Sequence, residues 1–328
     1  MKRFDASFQS CGELQELFQP LSPDLVALQL SQGPLVGRLR IYSLGGLNFN
    51  LLEANQSLFL SGTRRPKPCT MAIPLVDHDP SSEDLYRAQG ITMPWPGLMG
   101  YNRWLTDFDL KIPAGVKLAT VVISKQALLE RVAQQGGGAL TLKRWEETNQ
   151  LEIKPTLRHL LQQQVLSLAE QETQSRTPSS PDQLINILIQ CFEDKDAQTM
   201  PIAKREARHE AAIELLHWCS KNAKQSITVD KLSAELFQSR TSLFKGSKEH
   251  FERTPLELHR SIRMDGVRQL LLDPRKRQSL GLQGVGAIAN ELGFTSRSHF
   301  ARRYHEQYGE QPQDTLNRST SALNIHLD

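Results

Sequence analysis

Two stretches in the C-terminal third carry the residues best placed for chemistry. The first is Thr228–Lys245 and the second Gly286–Tyr304. In each, a short helix with apolar periodicity is followed by a tight turn, and a Ser then caps a second helix that carries Arg near its first turn, Arg240 or Arg297. Arg in such a place can bond bidentately to the O6 and N7 edge of guanine. Other chemistries find little support. Four cysteines, at 11, 69, 191 and 219, lie too far apart for a CxxC pair or a zinc ribbon and read as buried thiols. Within 1–150 there is one histidine, His78, in the polar, turn-like Val76–Pro80, so a metal-binding His cluster is not expected there. No G-x-S-x-G and no phosphate-binding loop occurs. No catalytic residue, cofactor or metal is expected.

The elements that position the two arginines read as a pair of helix-turn-helix motifs. In such a motif the first helix crosses the DNA backbone and the second places its N-terminal side chains in the major groove. Gly293 fits a turn that needs a left-handed residue. Small Ala289 allows close helix approach, with Ile288, Leu292, Phe300 and Tyr304 as the core. Between the motifs, Thr254-Pro255-Leu256-Glu257 forms a capping box with Pro at the first helical position. The helix it opens runs to about Asp273, before Pro274. Some 18 residues at 1.5 Å give about 27 Å. Successive major-groove faces are about 34 Å apart, so this helix suits two reading heads in adjacent grooves.

Ile288-Ala289, Gly293-Phe294, Ser298-His299-Phe300, Tyr304, Tyr308-Gly309 and Pro312 follow the second-motif pattern of the AraC/XylS family of transcriptional regulators. The region from about 203 to 318 resembles that family's DNA-binding domain. Ser239, Leu243, Phe251 and Pro255 match in the first motif, whereas Ser233, Ser247 and Glu252 stand where the family has Ala, Phe and Gly. The resemblance implies base-facing positions at Arg240, Thr241, Phe244 and Lys245 in the first reading helix. In the second it implies Arg297, Ser298, Ala301 and Arg302. Phe244 and Ala301 suit thymine methyls. Lys245, Arg303 and Arg260 suit phosphates, which position the protein without reading sequence. His299 reads as a packing residue. The resemblance further implies double-stranded DNA and RNA polymerase as partners, activation over repression, and an N-terminal cupin-like jelly roll that binds a small-molecule effector, forms a homodimer, or both.

Charge is distributed accordingly. Of 328 residues, 1–199 hold 19 Lys+Arg against 21 Asp+Glu, and 200–328 hold 20 against 15. The C-terminal part is thus net +5 and the rest net −2, a modest basic footprint for a polyanion. A hydrophobic content of 39% excludes a fully disordered chain. The absence of any apolar run of about 18–20 residues argues against a membrane span. With no apolar stretch behind the N-terminus, a cytoplasmic protein is expected.

The N-terminal half reads as β-rich. Short apolar runs at 25–30, 35–44, 47–52, 57–60, 70–76 and 118–123 lie between turn signals such as Gly45-Gly46, which suggests a sandwich or barrel. Ser124 caps a helix over 124–134. Trp95, Tyr101 and Trp104 either line a small-molecule pocket or plug the barrel end. From about 154 the period becomes helical, and a helix over 182–193 carries Leu184, Ile185, Leu188, Ile189 and Phe192 on one face. That stripe packs inside the subunit or forms a dimer contact through Leu184, Leu188, Ile189 and Phe192. The expected fold class is α+β multidomain. A β-rich sensor/dimerisation domain spans 1–135, a helical connector 136–200, and an all-α domain with two helix-turn-helix motifs joined by a long helix 201–318, followed by a flexible tail, 319–328. Two other readings remain: an architectural DNA binder without effector, and a small-molecule-binding cupin with a DNA-targeting tail.

Overall fold

The computed structural model describes residues 2–44, 47–65, 68–76, 85–93, 95–135, 138–170, 180–202, 204 and 206–324. His78, Gly45-Gly46 and the loop residues 171–179 lie outside them. In chain order the elements are β1 (Lys2–Phe8), α1 (Cys11–Phe18), β2 (Val26–Gln29), β3 (Gly37–Leu44), β4 (Leu47–Ala54), β5 (Leu58–Thr63), β6 (Pro68–Pro74), β7 (Arg87–Ala88), β8 (Ile91–Thr92), β9 (Gly97–Met99), β10 (Asp107–Ile112), β11 (Val116–Ser124), α2 (Lys125–Gln134), α3 (Ala139–Glu147), β12 (Thr148–Glu152), α4 (Pro155–Glu170), α5 (Pro181–Glu193) and β13 (Thr199–Pro201). Helices alone follow: α6 (Ala207–Lys221), α7 (Val229–Glu235), α8 (Arg240–Phe251), α9 (Pro255–Leu272), α10 (Pro274–Ser279), α11 (Gly284–Glu291), α12 (Arg297–Tyr308) and α13 (Pro312–Asn324).

These elements form two compact units that interleave in sequence. One comprises Met1–Ala6, Arg38–Ala54 and Thr63–Lys204; the other comprises Ser7–Gly37, Asn55–Gly62 and Arg205–Asp328. The sequence expectation drew continuous domains, whereas α1, β2 and most of β5 group here with the C-terminal helices.

The first unit is built on an eight-stranded sheet in the order β1-β3-β4-β11-β6-β9-β12-β13. β11 is a run of β-branched and apolar residues, suited to a central strand. It pairs antiparallel with β4, from Val116↔Ala54 to Ile123↔Leu47, and with β6, from Leu118↔Pro74 to Ser124↔Pro68. β7 pairs antiparallel with both β8 and β10. Ser124 caps α2 by accepting from the Ala127 N–H at 3.0 Å, and Ser180 and Gln183 form a capping box at α5.

The stripe on α5 is buried. Leu184, Ile185, Leu188, Ile189 and Phe192 join Leu161, Val165 and Leu168 of α4 and sheet residues such as Phe49, Met71 and Val121 in one core. The subunit's own core covers this face, so the dimer contact expected of Leu184, Leu188, Ile189 and Phe192 has no free surface. α1, α3, β1, β7, β8, β9, β10, β12 and β13 were not anticipated, most being short and mixed in periodicity. Within the expected tail, α13 continues to Asn324, and the buried Ser319 hydroxyl donates to Leu271 O at 2.7 Å. Residues 325–328 lie outside the described set.

Among the described residues, two apolar clusters of the second unit hold the helix pairs. Ala211, Leu215 and Leu216 of α6 pack with Leu232, Leu243, Phe251 and Leu258, and with Val26, Leu28 and Phe59 from β2 and β5. Met264, Val267 and Leu271 of α9 pack with Ile288, Ala289, Leu292, Phe300, Tyr304 and Tyr308. Each helix pair thus has its own core, and α9 contributes to both.

Among the described residues, no helix is long and apolar enough to cross a membrane, and no group of three or more His, Cys, Asp or Glu side chains is placed to hold a metal ion. All four cysteines are buried and free. Burial pushes the Cys69, Cys191 and Cys219 thiols up to about 12, which removes the thiolate that redox chemistry needs.

Candidate nucleic-acid interface

The first motif is α7 and α8. Thr228 caps α7 and Ser239 caps α8, each side chain accepting from a backbone N–H three residues on. α8 turns Leu243, Gly246, Ser247, His250 and Phe251 inward. Its opposite face therefore presents Arg240, Thr241, Phe244 and Lys245, all exposed. Gly246 is needed for close approach: a Cβ there would lie 2.1 Å from Arg208 O of α6. Arg240 is ion-paired with Asp230 while still two-thirds exposed. Such surface pairs are weak and exchange readily for another anion.

The second motif, α11 and α12, repeats the arrangement. Phe300, Tyr304 and Tyr308 point inward. Arg297, Ser298, Arg302 and Arg303 are exposed and Ala301 is half-buried. Arg302 and Arg303 both reach Glu306, at 3.7 and 3.8 Å. Gly293 has φ +76°, the left-handed turn expected of it. Ser296 holds the N-cap position of α12 without a side-chain cap bond. On both reading helices the outward residues fall at i, i+1, i+4 and i+5, which places them on one face.

The sequence did not reveal what anchors the second reading helix. Arg268, on α9, is 1% exposed. It donates to Gln9 O at 2.8 Å, to Glu310 Oε1 at 2.8 Å and to Tyr304 Oη at 3.3 Å, and it stacks over the Tyr308 ring at 4.5 Å. Glu310 also accepts from Thr315 and Arg318. Burial works against the Glu310 charge, but the hydrogen bonds from Arg318, Thr315 and Arg268 outweigh it and hold the carboxyl at about 2. One turn earlier, Arg263 donates to Leu292 O and lies over the Phe294 ring at 4.8 Å. An arginine in a polar helix reads as solvated, so no sequence signal separated Arg263 and Arg268 from the exposed ones.

A third cation fixes the N-terminal segment: Arg253 donates to Gln29 O at 2.9 Å and Leu30 O at 3.1 Å. Gln307, near the end of α12, donates to Ser31 O and accepts from the Gly33 N–H.

Trp95, Tyr101 and Trp104, read as lining a small-molecule pocket or plugging the barrel end, differ in burial. Tyr101 is buried, donating to or accepting from Thr148 at 2.7 Å and packed edge-on against Phe192. Trp104 is 63% exposed beneath the Arg103 guanidinium. Trp95 is half-buried. Tyr101 therefore belongs to the core and Trp104 to the surface.

Paired helix-turn-helix motifs on one connecting helix define the C-terminal domain as a tandem helix-turn-helix module. Residues 232–318 match the family model described as a helix-turn-helix domain. The chain is 28% identical over 102 residues to XylDLEGF operon transcriptional activator 2 of Pseudomonas putida, covering 31% of this chain and 62% of that protein. It is 30% identical over 104 residues to XylDLEGF operon transcriptional activator 3 of the same organism, covering 32% and 30%. The match thus spans less than two thirds of either relative. Among solved structures, a probable AraC family transcriptional regulator from Rhodopseudomonas palustris aligns with 27% identity and a TM-score of 0.30, over 34% of this chain and 97% of that one.

Proposed function

We propose that this chain is a sequence-specific DNA-binding transcription regulator that reads two adjacent major-groove segments of double-stranded DNA with α8 and α12. The matching outward faces of these two helices carry the reading, because each presents Arg at the first turn above a buried apolar face. Arg240 and Arg297 read guanine edges, Thr241 and Ser298 make adaptable hydrogen bonds, and Phe244 and Ala301 meet thymine methyls. Arg302 faces base edges beside Arg297, and Lys245, Arg303 and Arg260 bind phosphates. The relatives' printed names favour an activator, and RNA polymerase is then the expected partner. The β-rich unit is assigned the sensor or dimerisation role, a cupin-like jelly roll in a cytoplasmic homodimer, but without the α5 face and without Tyr101 and Trp104 as a common pocket.

Mapping bound DNA in the native host tests the reading, with wild type beside Arg297→Ala. Sharp promoter-proximal peaks, lost in the variant, are expected. On the isolated target duplex the variant loses about 1–3 kcal/mol of discrimination at one base pair. Diffuse occupancy, identical in both proteins, would replace this reading with an architectural one.

A further inference from the structure

The helical unit contains a cavity of about 170 Å³ lined from α1, β2, α6, α9 and α12. Val26 and Ile262 supply apolar wall; Asp265, Gln29, Gln307 and Ser261 supply polar wall. An apolar cavity of roughly this size holds benzene, so the volume suits a guest of about six to eight non-hydrogen atoms.

Two groups on this wall are acceptors short of donors. Asp265 accepts from the Cys11 and Gly12 N–H groups, one on each oxygen and both at 2.9 Å, and from the Cys11 thiol. A carboxylate has about four acceptor positions, so capacity remains. Burial pushes its carboxyl above the usual range against those hydrogen bonds, a charge only partly compensated. Arg268, which acts on Asp265 through space, directs Nε to Gln9 O and Nη1 to Tyr304 and Glu310. Gln29 is 5% exposed. Its Nε2 donates to Ser31 O at 2.9 Å and Gly33 O at 2.7 Å. Two carbonyl partners settle the amide orientation, since the flipped form would set oxygen against oxygen. Gln29 Oε1 is then buried without a partner, which native proteins rarely tolerate.

We propose that this cavity is a small-molecule site for a compact organic cation with several N–H donors, a primary ammonium or amidinium. Such a guest supplies the donor that Gln29 Oε1 lacks and the positive charge that Asp265 lacks, while its carbon body meets Val26 and Ile262. It touches α1, α9 and the end of α12 together, so occupancy bears on the second reading helix. That coupling rests on the DNA-binding reading above; the site itself does not.

Calorimetry on the full chain with benzylammonium, benzyl alcohol and benzoate at matched ionic strength tests the site. Benzylammonium is expected to bind at least tenfold tighter than benzyl alcohol and to raise Tm, with no response to benzoate. Ser261→Leu plugs the cavity without altering Asp265 or Gln29, since the Ser261 hydroxyl donates only to Glu257 O of its own helix. It should abolish the benzylammonium response; Ala223→Phe does the same from the end of α6 and serves if the first variant folds poorly. Equal response to all three probes, no response, or a response that survives the plug overturns the site. Duplex affinity measured with and without benzylammonium tests the coupling: a change in wild type that disappears in Ser261→Leu supports it, and no change refutes it. A chain that binds no duplex would end the DNA reading, and the calorimetry would still decide the site.

Discussion

Two residues distinguish the first motif from the second. Phe237 follows Leu236 in the turn between α7 and α8, as Gly293 follows Leu292 between α11 and α12. Their φ angles are +53° and +76°. Glu252 ends α8 at φ +59°, and Gly309 ends α12 at φ +69°. The first motif thus places bulky or charged side chains in left-handed positions where the second uses glycine. The left-handed region costs about 1–2 kcal/mol for an ordinary residue, and Asn tolerates it better. Phe237 recovers nothing by packing, being 93% exposed. Phe237→Asn is therefore expected to stabilise the protein by about 1 kcal/mol, read as a raised denaturant midpoint at unchanged slope. A lower midpoint would mean that the ring makes a contact in solution.

At the scale of elements, local signals and packing agree unevenly. α9 begins where Thr254, Pro255 and Glu257 place it, because capping is decided within four residues. Its Thr254 and Glu257 make the reciprocal box. α5 was equally legible as a helix, but not the partner of its apolar face. A stripe of Leu184, Leu188, Ile189 and Phe192 looks the same whether a second subunit or the chain's own α4 and sheet cover it. Leu188 is buried in that core, so Leu188→Ala should cost about 2–5 kcal/mol. The oligomeric state seen by sedimentation should not change. Dissociation of an oligomer at retained Tm would return α5 to an interface role.

For the whole molecule, the interleaving of the two units matters most. Val26, Leu28 and Phe59 complete the core around α6 and α8. Gln9, Gln29 and Leu30 give their carbonyls to Arg268 and Arg253. A fragment of residues 205–328 would keep both helix-turn-helix motifs yet lose these partners, leaving buried guanidinium groups without acceptors and an open apolar face. It is expected to melt lower than the helical unit of the full chain and to bind a hydrophobic dye. Adding a peptide of residues 7–37 should raise its Tm. A fragment as stable as the parent, indifferent to the peptide, would make the N-terminal segment dispensable.

What the sequence determined by itself is local: where helices start and stop, and where a left-handed glycine turns the chain; the outward residues of α8 and α12 came from the family resemblance. Caps, turns and 3.6-residue periodicity act over a few residues and are written in residue type. The second motif was legible almost throughout for this reason, down to Ile288, Leu292, Phe300 and Tyr304 as its core. Only the tertiary structure decided which arginines are buried, which surface covers α5, and that residues 7–37 and 55–62 group with the helices beyond residue 205. Those outcomes depend on contacts between distant segments, where burial reverses the usual behaviour of a residue type. An arginine solvated on most helices becomes, at Arg268, the group that ties α9 to α12, to Gln9 ahead of α1 and to Glu310 ahead of α13.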